Sequence, residues 1–321
     1  MSFGAVLAGT NAALDSSLNT IYSEFKILRD ETGVARSCAT SMNLKPHEGA
    51  SKNVNNYGRV VAYSVGDGVD IAQAQQLADT TTTYTPGEVA VQVILAGSTM
   101  RRVADPDLLS RTGRILNAAY DLKEDGDGVA QFSSFTPIMG VANNVLGAGE
   151  YFGAMTRLFI GNNRSNPEPP PEPYFIVDHP VKLSVLAGRM APLAQLPAGT
   201  GAAYTPATVA NNITLMPSNG SMQQEIIKSH IGGLGTLFGA TVKRDANIVV
   251  DSSDDCSGAA FSKEGLIFVS EVEPRQDNDS SDKSMRGAVE VNVWGSYVWG
   301  LYRASAFGVE ILGDATLPAA S

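Results

Sequence analysis

The sequence predicts an α+β fold, and three observations carry that prediction. The first is GEVAVQVIL (Gly87–Leu95), where Val89, Val91, Val93 and Leu95 alternate with Glu88, Ala90, Gln92 and Ile94. Period-two alternation puts the first set on one face of a strand, and branched side chains suit a pleated surface. The second is the helix that follows. Asp105 is placed to cap it, Pro106 suits its first turn, and Asp107 adds negative charge where the helix dipole favours it. Leu108, Leu109, Thr112, Leu116, Ala119 and Leu122 then recur at helical spacing, and Gly126 reads as the stop. From Pro106 to Asp125 this helix spans ~30 Å at about 1.5 Å per residue. The third is the closing segment. Val289, Val291, Val293, Tyr297, Trp299 and Leu301 fall on one strand face, and Phe307, Val309 and Ile311 repeat the pattern after a turn at Arg303–Ser305.

The other elements follow in chain order. Residues 1–15 are small and weakly patterned, after which Leu18, Ile21, Tyr22, Phe25 and Leu28 form a helical stripe that needs a surface to lie on. Residues 38–83 are polar and rich in glycine, asparagine and threonine, with one clear strand, RVVAYSV (Arg59–Val65). So long a segment exceeds an ordinary connection, and an extended β-hairpin projecting from the body fits it. Tyr151, Phe152, Met155, Leu158 and Phe159 mark a helix ending near Gly161. The run NPEPPPEP (Asn166–Pro173) is a stiff connector into the strand Tyr174–Val177, and Asp178 and Pro180 open a helix through Leu186. Residues 194–219 read as an exposed loop. Ser221 and Gln224 form a capping box for a helix carrying Ile226, Ile227 and Ile231, which Gly232 ends. Strands are expected at Ala240–Val242 and Leu266–Val269, and Glu273–Ser284 reads as a charged loop.

Composition narrows the function classes. With 43% hydrophobic residues over 321 positions, the chain can build a packed core. Its 23 basic against 33 acidic residues give a formal net charge of -10, which argues against a dedicated nucleic-acid binder. Cys38 and Cys256 are the only cysteines, too few for a disulfide framework or a four-cysteine zinc site, and read as reduced thiols. No lysine or arginine precedes Lys26, so the basic region of a secretory signal is missing. No apolar run approaches the ~20 residues that a membrane helix needs.

The search for chemistry finds no site. His47, His179 and His230 have no partner at ligand spacing, and HEG at His47–Gly49 lacks the second histidine of a zinc-protease motif. GGLGTLFG (Gly232–Gly239) follows a helix and puts Phe238 where a dinucleotide loop needs its third glycine, so helix termination and a tight turn explain it. DLKEDGDG (Asp121–Gly128) lacks the later ligands of a calcium loop and reads as a helix end and turn. Sequons at Asn163, Asn212, Asn219 and Asn278 carry little meaning without a secretory signal. Arg101, Arg102, Arg111 and Arg114 form the one basic cluster, which salt bridges within or between subunits explain better than a nucleic-acid backbone. Trp294, Tyr297, Trp299 and Tyr302 read as sheet packing. No catalytic residue, metal site or cofactor is predicted, and no enzymatic activity.

The order of arm helix, projecting hairpin, long strand, long helix, mixed segment and returning strands resembles the tailed-bacteriophage major capsid proteins, the Hong Kong 97-type fold. The residues that carry the resemblance are Gly87–Leu95 with Leu108–Phe132, the passage HIGGLGTLFGATVKRD (His230–Asp245), and VWGLYRASAFGVEIL (Val298–Leu312). The resemblance implies an N-terminal arm at 1–37, an extended loop at 38–83 that lies over a neighbour, a peripheral domain with the spine helix at 84–136 and 283–321, and an axial domain at 137–282. It implies a homo-oligomer of pentamers and hexamers that self-assembles into an icosahedral head shell. Scaffolding, portal and decoration proteins would be its partners, contact with packaged DNA would be weak and non-specific, and no membrane is involved. The place would be the virion, after assembly in the host cytoplasm. Lys45, Lys52, Arg59, Arg101 and Arg102 are expected at contacts between subunits. Some relatives crosslink a loop lysine to an asparagine, but no partner environment for that reaction is identifiable around Lys45 or Lys52. No long charged scaffolding helix is evident at the start, so assembly would use a separate scaffold or such a segment was removed. Three other readings stay open: an encapsulin-type compartment shell, an α/β enzyme with an unrecognised active site, and a tail or decoration protein.

Overall fold

Two sheets and one long helix organise the chain. The computed structural model describes residues 34–45, 47–58, 60, 62–67, 75–77, 79–95, 108–160, 170–189, 235–277 and 289–316. In chain order the elements are α1 (Val34–Cys38), β1 (Thr40–Asn43), β2 (Lys52–Tyr57), β3 (Asp79–Tyr84), β4 (Gly87–Leu95), α2 (Leu108–Val129), β5 (Ile138–Met139), α3 (Ala148–Ile160), β6 (Tyr174–Asp178), α4 (Pro180–Arg189), β7 (Gly235–Leu237), β8 (Ala240–Arg244), β9 (Asp255–Ser262), β10 (Leu266–Asp277), β11 (Val289–Leu301) and β12 (Gly308–Asp314).

The first sheet has the order β1-β10-β11-β4. β1 runs parallel to β10, and the other pairs are antiparallel. Val89, Val91 and Val93 of β4 and the buried Val291 and Val293 of β11 share one face, which α2 covers with Leu116 and Tyr120. Glu88, Ala90, Gln92 and Ile94 are exposed, as their alternation requires. The second sheet has the order β5-β12-β9-β6-β8-β7. Tyr151, Ala154, Met155 and Leu158 of α3, with Leu183 and Leu186 of α4, pack against its Ile176, Val242, Ala260, Val309 and Ile311. A continuous apolar core links the sheets, because Phe132 and Phe135, just beyond α2, meet Phe261 at ring-centroid distances of 5.5 and 6.0 Å.

Several sequence expectations need correction. The long helix does not stop at Gly126 but runs to Val129, so Asp121–Gly128 lies inside it. Gly128 is there for close approach: a Cβ would stand 2.8 Å from the Ala35 Cβ and 3.0 Å from the Trp299 ring. Trp299 adds a hydrogen bond from its Nε1 to the Glu124 carbonyl (2.8 Å), which fixes β11 against the helix. The expected strand at Arg59–Val65 is not a strand in its described residues, and Val60, Tyr63 and Val65 are exposed. The hairpin arms are instead β2 and β3, joined antiparallel with Lys52 opposite Tyr84 and Tyr57 opposite Asp79. Glu273–Asp277 is not loop but the end of β10, paired with β11 beyond two register shifts.

The sheets also divide the chain differently from the expected domains. β10, expected with the 137–282 unit, belongs to the four-stranded sheet, and β12, expected with the 283–321 unit, belongs to the six-stranded sheet. The chain therefore crosses between the sheets three times: between β4 and β5, through the one-turn link Lys263–Gly265, and through residues 302–307. The boundary at residue 37 is likewise crossed, since α1 runs to Cys38 and β1 then joins the four-stranded sheet. The capping residues Asp105 to Asp107, the helix expected after Ser221 and the stripe at Leu18–Leu28 lie outside the described residues.

Candidate assembly surfaces

The hairpin is held by polar side chains rather than by a core. On its exposed face Thr83 Oγ1 donates to Asn53 Oδ1 (2.8 Å) and Thr81 Oγ1 to Asn55 Oδ1 (3.0 Å), while Asn56 Nδ2 donates to Thr82 Oγ1 (3.1 Å). These rungs explain how KNVNNY and DTTTTY pair with so little apolar content. The root is anchored in the body. Tyr84 and Leu44 are buried with Ile267 and Val269, and the Tyr84 hydroxyl donates to the Leu301 carbonyl (2.8 Å). Tyr84 lies so close over β11 that a Cβ at Gly300 would fall 2.2 Å from its ring. Arg303 Nη2 donates to the Tyr57 carbonyl (3.1 Å) from the turn after β11.

Away from the root the hairpin carries exposed apolar side chains: Tyr57, Val60 (56% exposed), Tyr63 (52%), Val65 and Leu77. Isolated exposed apolar residues are ordinary, but five on one segment make a surface suited to a partner. On α2, Ile115 and Leu122 are exposed seven residues apart, on one outer face of the helix.

Of the residues expected at subunit contacts, the structure brings Lys45 and Lys52 together around Glu48. The Lys45 amide and Lys52 Nζ both donate to Glu48 Oε2 at 3.3 Å. The Lys45 backbone bond and then Lys52 hold the exposed Glu48 carboxyl below its usual range. Arg59, Arg101 and Arg102 lie outside the described residues. Tyr84, which fixes the hairpin root, and Arg303, which holds the other end of the ladder at Tyr57, were missed by sequence reading; a tyrosine at a strand end and an arginine in a turn give no signal of a contact more than 200 positions away.

The second sheet rests on a buried ionic hub. Asp178 Oδ1 meets Lys182 Nζ at 2.8 Å, and Lys182 also donates to the Cys256 carbonyl (3.1 Å) and the Ile311 carbonyl (2.9 Å). Asp178 accepts further from the Tyr151 hydroxyl (2.5 Å) and the His179 amide (2.7 Å). The hub ties β6, α4, α3, β9 and β12 together. Burial first, then the neighbouring Asp178, pushes the Tyr151 phenol well above its ordinary value. Among the described residues no group of three or more His, Cys, Asp or Glu side chains is arranged to hold a metal ion. No described helix is long and apolar enough to cross a membrane.

Comparison with solved structures decides the fold. The chain superposes on the head structure of Helicobacter pylori bacteriophage KHP40 with a TM-score of 0.63, 10% identity, and coverage of 89% of this chain and 92% of that one. On the capsid of Ralstonia phage GP4 the TM-score is 0.62, with 14% identity and coverage of 88% and 89%. The chain has the tailed-phage capsid fold of the Hong Kong 97 type. The Hong Kong 97-type fold also relates it to a virus-like particle from Pyrococcus furiosus, with a TM-score of 0.52, 10% identity and coverage of 91% and 98%. No family model matches the chain, and no curated protein sequence matches it. At such identities the likeness lies in the backbone path, and the hairpin rungs and buried hub above are described for this Hong Kong 97-type chain alone.

Proposed function

We propose that this chain is the major capsid protein of a phage, a structural subunit that closes with copies of itself into the icosahedral shell around the genome. One observation carries the reading: almost the whole chain, 88–89% of it, follows the path of phage head and capsid chains that are themselves matched over 89–92% of their length. The exposed apolar side chains of the hairpin support it, because a neighbouring subunit would bury them. Phage head and capsid chains span TM-scores of 0.54 to 0.63 and the virus-like particle stands at 0.52, which favours the phage shell over a compartment shell.

In this reading the residues before α1 are the N-terminal arm and the β2–β3 hairpin is the extended loop laid over the next subunit. The four-stranded sheet with α2, the spine helix, is the peripheral domain. The six-stranded sheet with α3 and α4 is the axial domain, packed around the local axes of pentamers and hexamers. Lys45 and Lys52, with Arg59, Arg101 and Arg102, supply ionic contacts between subunits. Each contact is modest, and closed symmetry multiplies it. The role is structural rather than catalytic. The shell belongs to the virion, forms in the host cytoplasm, and meets scaffolding, portal and decoration proteins there. A net charge of -10 keeps its contact with packaged DNA weak and non-specific.

Light scattering on the purified chain, alone and with its scaffold, tests the proposal. Particles of pentamer, hexamer or shell mass are expected. A species that stays at 33.7 kDa under all these conditions and binds a small ligand overturns it.

A further inference from the structure

A pair of buried carboxyls joins the two sheets to the spine helix. Asp125 sits in the last turns of α2 and Asp245 in the turn after β8; they are 5% and 3% exposed. Asp125 Oδ1 accepts from the Ala35 amide at the start of α1 (2.8 Å), and its Oδ2 accepts from Asn247 Nδ2 (2.7 Å). Asp245 Oδ1 accepts from the Asn247 amide (2.8 Å), and the Asp245 amide donates to the Asp178 carbonyl (3.1 Å). Asp245 Oδ2 is buried without a hydrogen-bond donor, and Asn247 bridges the two carboxyls, its amide donating to Asp245 and its side chain to Asp125. Two ionised carboxylates this close repel, whereas one proton between them makes a strong hydrogen bond.

We propose that Asp125 and Asp245 share one proton and act as a proton-operated clamp, which holds the root of the N-terminal segment and the turn after β8 on the end of the spine helix. With the proton present, Asp245 donates to Asp125, while Asp125 keeps its acceptor contacts to Ala35 and Asn247. Without it, two negative charges face each other where α1, α2 and the six-stranded sheet meet. The clamp then loosens at Ala35, in the first turn of α1. This rests on the fold alone and does not depend on shell assembly.

The surrounding charges set the direction of the response. Arg36 of α1 is taken up by Glu124 of α2 (3.3 Å) and Glu273 of β10 (3.0 Å). Lys243 of β8 donates to Ser37 Oγ (2.6 Å), Arg244 is exposed on the same strand, and the Asp178 carboxylate is held by Lys182. Burial pushes the Cys38 thiol up to about 11, so it stays neutral beside the pair. Burial first, then the neighbouring Asp125, raises Asp245 from 3.8 to about 7. A carboxyl raised in the folded state contributes stability that is complete below its unfolded value and lost as pH rises through its folded value. The window therefore runs from about pH 4 to about pH 7.

The test compares the full chain with Asp245→Asn, whose amide donates to Asp125 at every pH, by denaturant unfolding at pH 5 and pH 8.5 at one salt concentration. The wild type is expected to lose stability between the two, with the variant gaining on it by roughly tenfold or more in the unfolding constant, the equivalent of one unit of displaced titration. Parallel behaviour of the two proteins overturns the clamp. Hydrogen exchange on the wild type gives an independent reading if the variant does not fold. Protection at residues 34–38 and 245–248 should fall between pH 6 and pH 8.5, after correction for intrinsic rates, while β9 stays protected. Unchanged protection at those residues contradicts the proposal.

Discussion

Asp178 and Lys182 form an ion pair sealed from solvent, Oδ1 to Nζ at 2.8 Å with side chains 0% and 1% exposed. The spacing of four spans the junction from β6 into α4, so the pair fixes the angle at which that helix leaves the sheet. Lys182 spends its other two protons on carbonyls of β9 and β12. Asp178 is also packed from below, since a Cβ on Gly258 would stand 2.4 Å from its Oδ1.

Lys182→Met removes the cation and leaves a buried carboxylate and two carbonyls without their donor. A loss of about 3–5 kcal/mol is expected, the range for breaking a buried pair from one side. Urea unfolding at pH 7 measures it; a loss below ~1 kcal/mol would show that water replaces the ammonium and that the hub is not sealed.

Gly126 and Gly128 should respond in opposite directions to the same substitution. Nothing lies within 4 Å of a Cβ at Gly126, so Gly126→Ala is expected to stabilise by roughly 0.5–1 kcal/mol through helix propensity. Gly128→Ala drives a methyl into Ala35 and Trp299 and is expected to cost about 1–3 kcal/mol. Paired thermal melts decide this, and equal effects at both positions would refute the packing argument.

Both cysteines are buried, and burial raises Cys38 to about 11 and Cys256 to about 12. At pH 8 the folded chain should therefore react slowly with a thiol reagent at both positions, and both should react at once in denaturant. Fast native labelling of Cys38 would mean that the contact of α1 with the spine helix opens readily.

Much of this arrangement was legible in the sequence, for a physical reason. β4, β11, α2 and α3 each have one face on the core and one elsewhere, so their periodicity shows. β9 has no such contrast. Its residues, DCSGAAFS, are small and buried on both faces, so the central strand left no alternation to read. The hairpin was expected in the right segment but on the wrong residues. The described residues of Arg59–Val65 have strand propensity but form no strand, while β2 and β3 have polar residues whose pairing emerges only when asparagine and threonine meet across the ladder. The hub was half visible: Asp178 was read as a helix opener, and its tie to Lys182, with that lysine's bonds to strands 74 and 129 positions further on, depends on tertiary structure.

The hairpin separates folding from assembly. Lys52 and Tyr84 are opposite each other, so a short glycine–serine turn can replace residues 53–83 while Leu44 and Tyr84 stay in the body core. The shortened chain is expected to melt cooperatively within a few degrees of the full chain and to form no closed shells. Loss of the cooperative melt would place the hairpin within the folding unit.

The central claim is that this chain is a shell subunit, and negative-stain electron microscopy of the purified protein, with its scaffold where assembly requires one, tests it most directly. Closed shells or uniform rings of five and six subunits are the expected result. A field of separate monomers under every condition, from a protein that is folded by its melt, would contradict it.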